Sequence, residues 1–161
     1  MIAAISITLS IAALTFSIFV FIKNRQQDKH NLLIKMHELL TADRYQKGRA
    51  LLFEKVVDES SIEQLSAEEY REINGAISGF SLLGLYVKNG YVNTNDVMEA
   101  WAISIVRTWK AAQPLLAYRE RMEGLNPHVG LEPLFEKAQE YLANNKVNLE
   151  YKTWRRTGGT A

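Results

Sequence analysis

The chain contains no cysteine. Disulfides, thiolate metal sites and thiol nucleophiles are therefore excluded, and the absence fits a reducing compartment. Histidine and proline are scarce, three of each in 161 residues. His30 and His37 stand two helical turns apart, about 10 Å along an axis and too far to share one ion. The i, i+4 pair that seats two imidazoles on one metal is missing, and His128 is isolated. All three read as solvated, so no metal is expected. Net charge is only +1, short of the basic excess that phosphate-backbone binding needs, and nucleic acid is not an expected partner. No stretch alternates apolar and polar residues over strand length, and there is no internal repeat or low-complexity tract. No serine sits in a nucleophile elbow. Gly75, Gly79 and Gly84 lack the preceding strand and following lysine of a phosphate loop. No cofactor and no enzymatic reaction are expected.

What the sequence does hold is a long apolar run. Residues 2–22 carry no charged side chain. As a helix they would extend about 30 Å, the thickness of a bilayer's hydrocarbon core. A cleaved secretory signal is the first alternative. It is opposed by the absence of Lys or Arg before the run, by the run's length and by the lack of a small-x-small cleavage site after it. A buried core helix is the second, and the gathering of Phe16, Phe19 and Phe21 at one end argues against it. The run is read as a single transmembrane anchor. Lys23, Arg25 and Lys29, against Asp28 alone, flank its C-terminal side, so the N-terminus is expected outside and the rest in the cytoplasm. Within the run Ala3, Ser6, Ser10, Ala13 and Ser17 recur at steps of three and four. Such a stripe of small residues lets two helices approach closely in lipid, which points to self-association or to docking on another membrane protein. Thr8, Ala12 and Thr15 form a second small stripe. No ionisable residue lies in the run, so ion translocation by this helix alone is not expected.

The remainder, 47% apolar and 23% charged over the whole chain, suffices for one globular domain. No proline or glycine interrupts residues 22–41, and Leu32, Leu33, Met36, Leu39 and Leu40 give a juxtamembrane helix its apolar face. Thr41 is placed to cap a helix over 44–57, and 58–61 read as a polar break. Ser66 with Glu69 makes a capping box for a helix running to about Lys88, stopped by Asn89-Gly90. Its centre, 73–87, is apolar nearly all round, and its glycines predict a core helix closely packed by neighbours. Asn93 with Asp96 opens the next helix, which buries Val97, Trp101, Ile105 and Trp109 and is expected to end or kink near Ala112, ahead of Pro114. A further segment reaches Gly124, 125–130 read as a loop, and Pro133 suits the first turn of a last helix. The fold class is all-α, a single N-terminal transmembrane helix followed by a bundle of about five or six helices. The division is 1–22 anchor, 23–43 juxtamembrane helix, 44–144 cytoplasmic helical domain and 145–161 flexible tail.

Two acidic sets, Glu68, Glu69 and Glu72 and then Glu132, Glu136 and Glu140, fall on polar faces and read as solvated. Arg119 and Arg121 are candidates to meet a partner's carboxylate or phosphate. In the tail, Trp154, Arg155 and Arg156 have the aromatic-plus-basic character that suits an anionic bilayer surface, set against a simple disordered tail.

The stretch Leu82-Leu83-Gly84-Leu85-Tyr86-Val87-Lys88-Asn89-Gly90-Tyr91-Val92, followed by Trp109 and Arg119, resembles a bacterial family known only as a domain of unknown function, over residues 31–144. The resemblance implies one N-terminal span, a compact helical cytoplasmic domain and a bacterial source. Where that family often carries an acidic residue in its first hydrophobic helix, this chain has Gly75, Ala76, Ser78 and Gly79. The expected function is a membrane-anchored protein–protein interaction module, self-associating or a small accessory subunit of an inner-membrane complex. A membrane-acting defence or toxin effector is the alternative, and a membrane-surface enzyme is the third.

Overall fold

Because neither proline nor glycine interrupts residues 2–41, the chain opens as one unbroken 40-residue helix, α1 (Ile2–Thr41). The computed structural model describes residues 2–124 and 130–147, without the side chains of 2–8, 12 and 123. Five helices follow: α2 (Asp43–Lys55), α3 (Glu59–Ile62), α4 (Ala67–Lys88), α5 (Thr94–Glu123) and α6 (Leu131–Asn144). No strand occurs among the described residues. The all-α expectation holds, and residues 2–22 and 23–41, divided in the sequence reading, form a single rod of about 60 Å.

Local chemistry explains most boundaries. Ser66 Oγ accepts the Glu69 N–H, while Glu69 Oε2 accepts the Ser66 N–H at 2.9 Å, the reciprocal box expected at the start of α4. At its end Gly90 (φ +68°) donates to Val87 O and Tyr91 donates to Tyr86 O. This is a Schellman closure, and the Tyr86 and Tyr91 rings meet 6.0 Å apart across it.

Three expectations need correction. Thr41 does not cap α2. Its hydroxyl donates back to His37 O at 2.7 Å, as a helical threonine readily does, and Ala42 is the N-cap residue without a side-chain bond. The last carbonyls of α1 are instead met by Arg49 Nη1 on Leu40 O (2.9 Å) and Gln46 Nε2 on Thr41 O (2.6 Å). The supposed break at 58–61 is the start of α3, where Asp58 and Ser61 make their own capping box. Pro114 does not end its helix, since α5 runs through it to Glu123. Ala112 and Leu115 are fully buried on either side of it, while Lys110, whose carbonyl loses its partner, lies on the exposed side. Packing of the flanking turns outweighs the lost bond.

The core forms where α4 packs between α2 and α6, with α5 against α6. Leu40, Leu52, Ile73, Ile77, Phe80, Leu83 and Ile105 are wholly buried there. Close approach depends on absent side chains. A Cβ on Gly84 would stand 1.8 Å from Gly130 O, and one on Gly48 2.2 Å from Glu72 O. Gly75, in contrast, faces open space. Trp101 packs edge-on against Phe80 at 6.0 Å, and Trp109 stacks on Phe135 at 5.4 Å.

Candidate functional site

The two halves of α1 have different surroundings. Leu40 lies beside Gly79 of α4, and Leu32 lies beside the turn at residues 89–91 that follows α4. The second half of α1 thus runs antiparallel to α4, and the first half projects past the end of the domain. On that projecting half Leu9 is 66% exposed and Phe16 68%, with Ile11, Leu14, Ile18, Phe19, Phe21 and Ile22 also exposed. Among the described residues no helix is long and apolar enough to cross a membrane. The segment read from sequence as a span includes residues 2–8 and 12, whose side chains lie outside the description.

Of the small-residue stripe, Ser10, Ala13 and Ser17 are exposed, and the side chains of Ala3 and Ser6 lie outside the described residues. Ser17 Oγ donates to Ala13 O at 2.9 Å, and Thr15 Oγ1 to Ile11 O at 2.8 Å. These hydroxyls satisfy themselves on their own helix, so the stripe's capacity for contact rests on its small size more than on unspent donors.

Where the projecting half meets the domain, the polypeptide forms a cleft of about 280 Å³ lined by Arg25, Asp28, Lys29 and Leu32 of α1 and by Asn89, Gly90 and Tyr91. The turn's backbone amides are spent on the Schellman closure, so the donors left for a ligand are side chains. Lys23, exposed on α1, does not line the cleft. Sequence reading marked Arg25 and Lys29 as a basic flank and Asn89-Gly90 as a helix stop. It did not bring them together, because that requires the antiparallel packing of α1 on α4.

The other nominated residues are engaged elsewhere. Arg119 Nη1 donates to Asn74 Oδ1 at 3.2 Å, and Arg121 pairs with Glu59 at 2.5 Å while its guanidinium lies over the Tyr118 ring. Both sit by a shallow groove of about 750 Å³ between the start of α4 and the end of α5, lined by Tyr70, Arg71, Asn74, Tyr118 and Met122. Glu69 pairs with Lys55, and Glu72 Oε1 with Lys47 Nζ at 2.8 Å. The Lys55 ammonium, then the Ser66 backbone and hydroxyl, hold the Glu69 carboxyl down at about 2. Glu132, Glu136 and Glu140 line the exposed side of α6. Among the described residues no group of His, Asp or Glu is arranged to hold a metal. His30 and His37 are exposed, His37 with its ring 5.4 Å from Trp101, and His128 lies outside the described residues.

Arg49 went unnoticed in the sequence. Its guanidinium lies 5.7 Å from the centres of both the Phe80 and Trp101 rings while it caps α1, and burial lowers its pKa. It joins α1, α2, α4 and α5 at one point. Val147, the last described residue, shares a cleft of about 240 Å³ with Met98, Glu99 and Ile103, so the chain leaves α6 beside the first turns of α5. Trp154, Arg155 and Arg156 lie beyond it, outside the described residues.

A family model described as a domain of unknown function (DUF4760) matches residues 1–129. The chain belongs to this family. The DUF4760 match takes in the whole apolar segment and stops before α6, whereas the expected likeness began at residue 31 and included α6. The DUF4760 domain here therefore comprises α1 to α5 and the turn at 89–91. No curated protein and no solved structure matches the chain.

Proposed function

We propose that this DUF4760 protein is a membrane-anchored interaction module of a bacterial inner membrane. Residues 2–22 serve as a single span, with the N-terminus outside and the helical domain in the cytoplasm. The observation that carries this reading is the bareness of the projecting half of α1. From Leu9 to Ile22 its described large apolar side chains are mostly exposed, with no packing partner among the described residues, although the same helix buries Met36 and Leu40 in a well-formed core. Apolar surface on that scale is unfavourable in water and favourable in lipid. The basic residues at 23, 25 and 29 support the orientation.

The continuity of α1 gives the reading its mechanism. A tether with a loose linker would only localise the domain. An unbroken helix that ends in the core transmits rotation or tilt of the span to α2 and α4 through Leu32, Met36 and Leu40. Association of spans along Ser10, Ala13 and Ser17, with Ala3 and Ser6 completing the stripe, then fixes how the domains face one another. The partner is a second copy or the span of another membrane protein. Val147, the last described residue, lies beside the first turns of α5, the helix that starts just after the turn at 89–91, and this supports contact of Trp154, Arg155 and Arg156 with the bilayer surface.

The test is crosslinking in cells from single cysteines. The chain has none of its own, so background is absent. Ser10→Cys, Ala13→Cys and Ser17→Cys are expected to crosslink, to a second copy or to one defined partner, while Ile11→Cys and Leu14→Cys are not. Absence of crosslinks at every position would reduce the span to a tether and sink the interaction reading.

A further inference from the structure

The cleft between α1 and the turn at 89–91 carries an assignment of its own, resting on the anchor reading above. Height is the first observation. With Ile22 at the edge of the hydrocarbon, Arg25 stands about 4.5 Å and Lys29 about 10 Å further along the helix. The headgroup layer of one leaflet is about 5–8 Å thick, so Arg25 stands within it and Lys29 a few Å beyond, near enough for its long side chain to reach back to the lipid phosphates. Chemistry is the second. Arg25 and Lys29 form no ion pair or hydrogen bond among the described residues, not even with Asp28, the one acidic lining group. Shape is the third. The opposite wall offers the Asn89 carboxamide and the Tyr91 side chain, which is 56% exposed although its body packs on Tyr86. An aromatic ring with a polar tip at the interface, facing two uncommitted cations across a small cavity, suits a phosphate whose remainder lies in the bilayer.

We propose that this cleft binds the phosphate of an anionic phospholipid, with Arg25 and Lys29 on the anion, Asn89 donating from the opposite wall and Tyr91 packed along the glycerol. A bound headgroup would join α1 to the turn after α4 and so fix the angle at which the domain leaves the membrane. The recognised chemistry is phosphate, and a free anion is the other source for it.

The test uses the full chain in dodecyl maltoside micelles, with the thermal unfolding midpoint followed by circular dichroism. Dioleoyl phosphatidylglycerol, dioleoyl phosphatidylcholine and inorganic phosphate are titrated separately. The wild-type midpoint is expected to rise with phosphatidylglycerol and not with phosphatidylcholine. Arg25→Gln/Lys29→Gln is expected to weaken the apparent affinity about tenfold or more. Asn89→Ala/Tyr91→Ala, which keeps both cations, is expected to weaken it less and serves if the first pair fails to fold. A rise with phosphatidylglycerol alone assigns the anion to a headgroup, and an equal rise with inorganic phosphate replaces the lipid by a soluble anion and overturns that part. Equal responses of wild type and both variants to phosphatidylglycerol overturn the site. Carbonate extraction of native membranes keeps the two readings apart, because loss of the site leaves the chain in the pellet and failure of the anchor releases it.

Discussion

The first and second halves of α1 share one backbone helix and almost nothing else. From Leu32 to Leu40 the helix packs on α2 and α4 and buries Met36 and Leu40, and Arg49 closes its last turn. From Leu9 to Ile22 its Leu, Ile and Phe side chains are exposed. That bare apolar surface is the observation the proposed anchor rests on. The comparison teaches that hydrophobic pattern alone does not separate the two kinds of helix. The second half is apolar on one face, at 32, 33, 36, 39 and 40, while the first half and the core centre of α4, 73–87, are both apolar nearly all round, and only tertiary packing tells those two apart.

The largest expected effect breaks the comparison by substitution. Leu40→Ala should destabilise the domain by about 2–5 kcal/mol, because a wholly buried side chain leaves a cavity behind. Leu14→Ala should leave the unfolding of the domain unchanged within about 0.5 kcal/mol, since Leu14 is 63% exposed and supports no core residue. Urea unfolding in detergent measures both. Equal losses would mean that the first half of α1 packs on the domain after all.

A second contrast is between glycines of α4. Gly84→Ala forces a methyl group into the Gly130 carbonyl and should destabilise by about 1–3 kcal/mol. Gly75→Ala meets open space and should stabilise by about 0.5–1 kcal/mol through helix propensity. Thermal melts of the two variants should therefore move in opposite directions.

The sequence marked Gly79 and Gly84 as sites of close packing but had no means to separate them from Gly75, because the neighbours of each come from other helices. It also passed over Gly48, which meets α4 at Glu72. What it read well was local: the Ser66–Glu69 box, the stop at Gly90 and the buried face from Val97 to Ile105. It erred where packing overrides propensity, as at Pro114, and where a short polar run made its own cap, as at Asp58. Of the candidate site it supplied Arg25 and Lys29 but not Asn89 or Tyr91, which reach α1 only through the tertiary fold.

The smallest expected effect concerns pH. Glu69 is held at about 2, below the ordinary carboxylate value, so its contribution to stability is present above about pH 4.5 and is lost as pH falls from there through about 2. Glu69→Gln keeps the reach of the capping box and removes the charge. The stability difference between wild type and Glu69→Gln, read from urea midpoints, should be largest above pH 4.5 and shrink toward pH 2. A difference independent of pH would assign the whole effect to the cap.

The most direct test of the anchor is a scan of single cysteines from position 9 to position 31, labelled with a membrane-impermeant maleimide in sealed inverted membrane vesicles. A membrane-embedded first half is expected to give protection through Ile22, reactivity from Asn24 onward, and reactivity at His30 and Asn31 on the cytoplasmic side. Uniform labelling along the whole helix would place its first half in water and rule out the anchor.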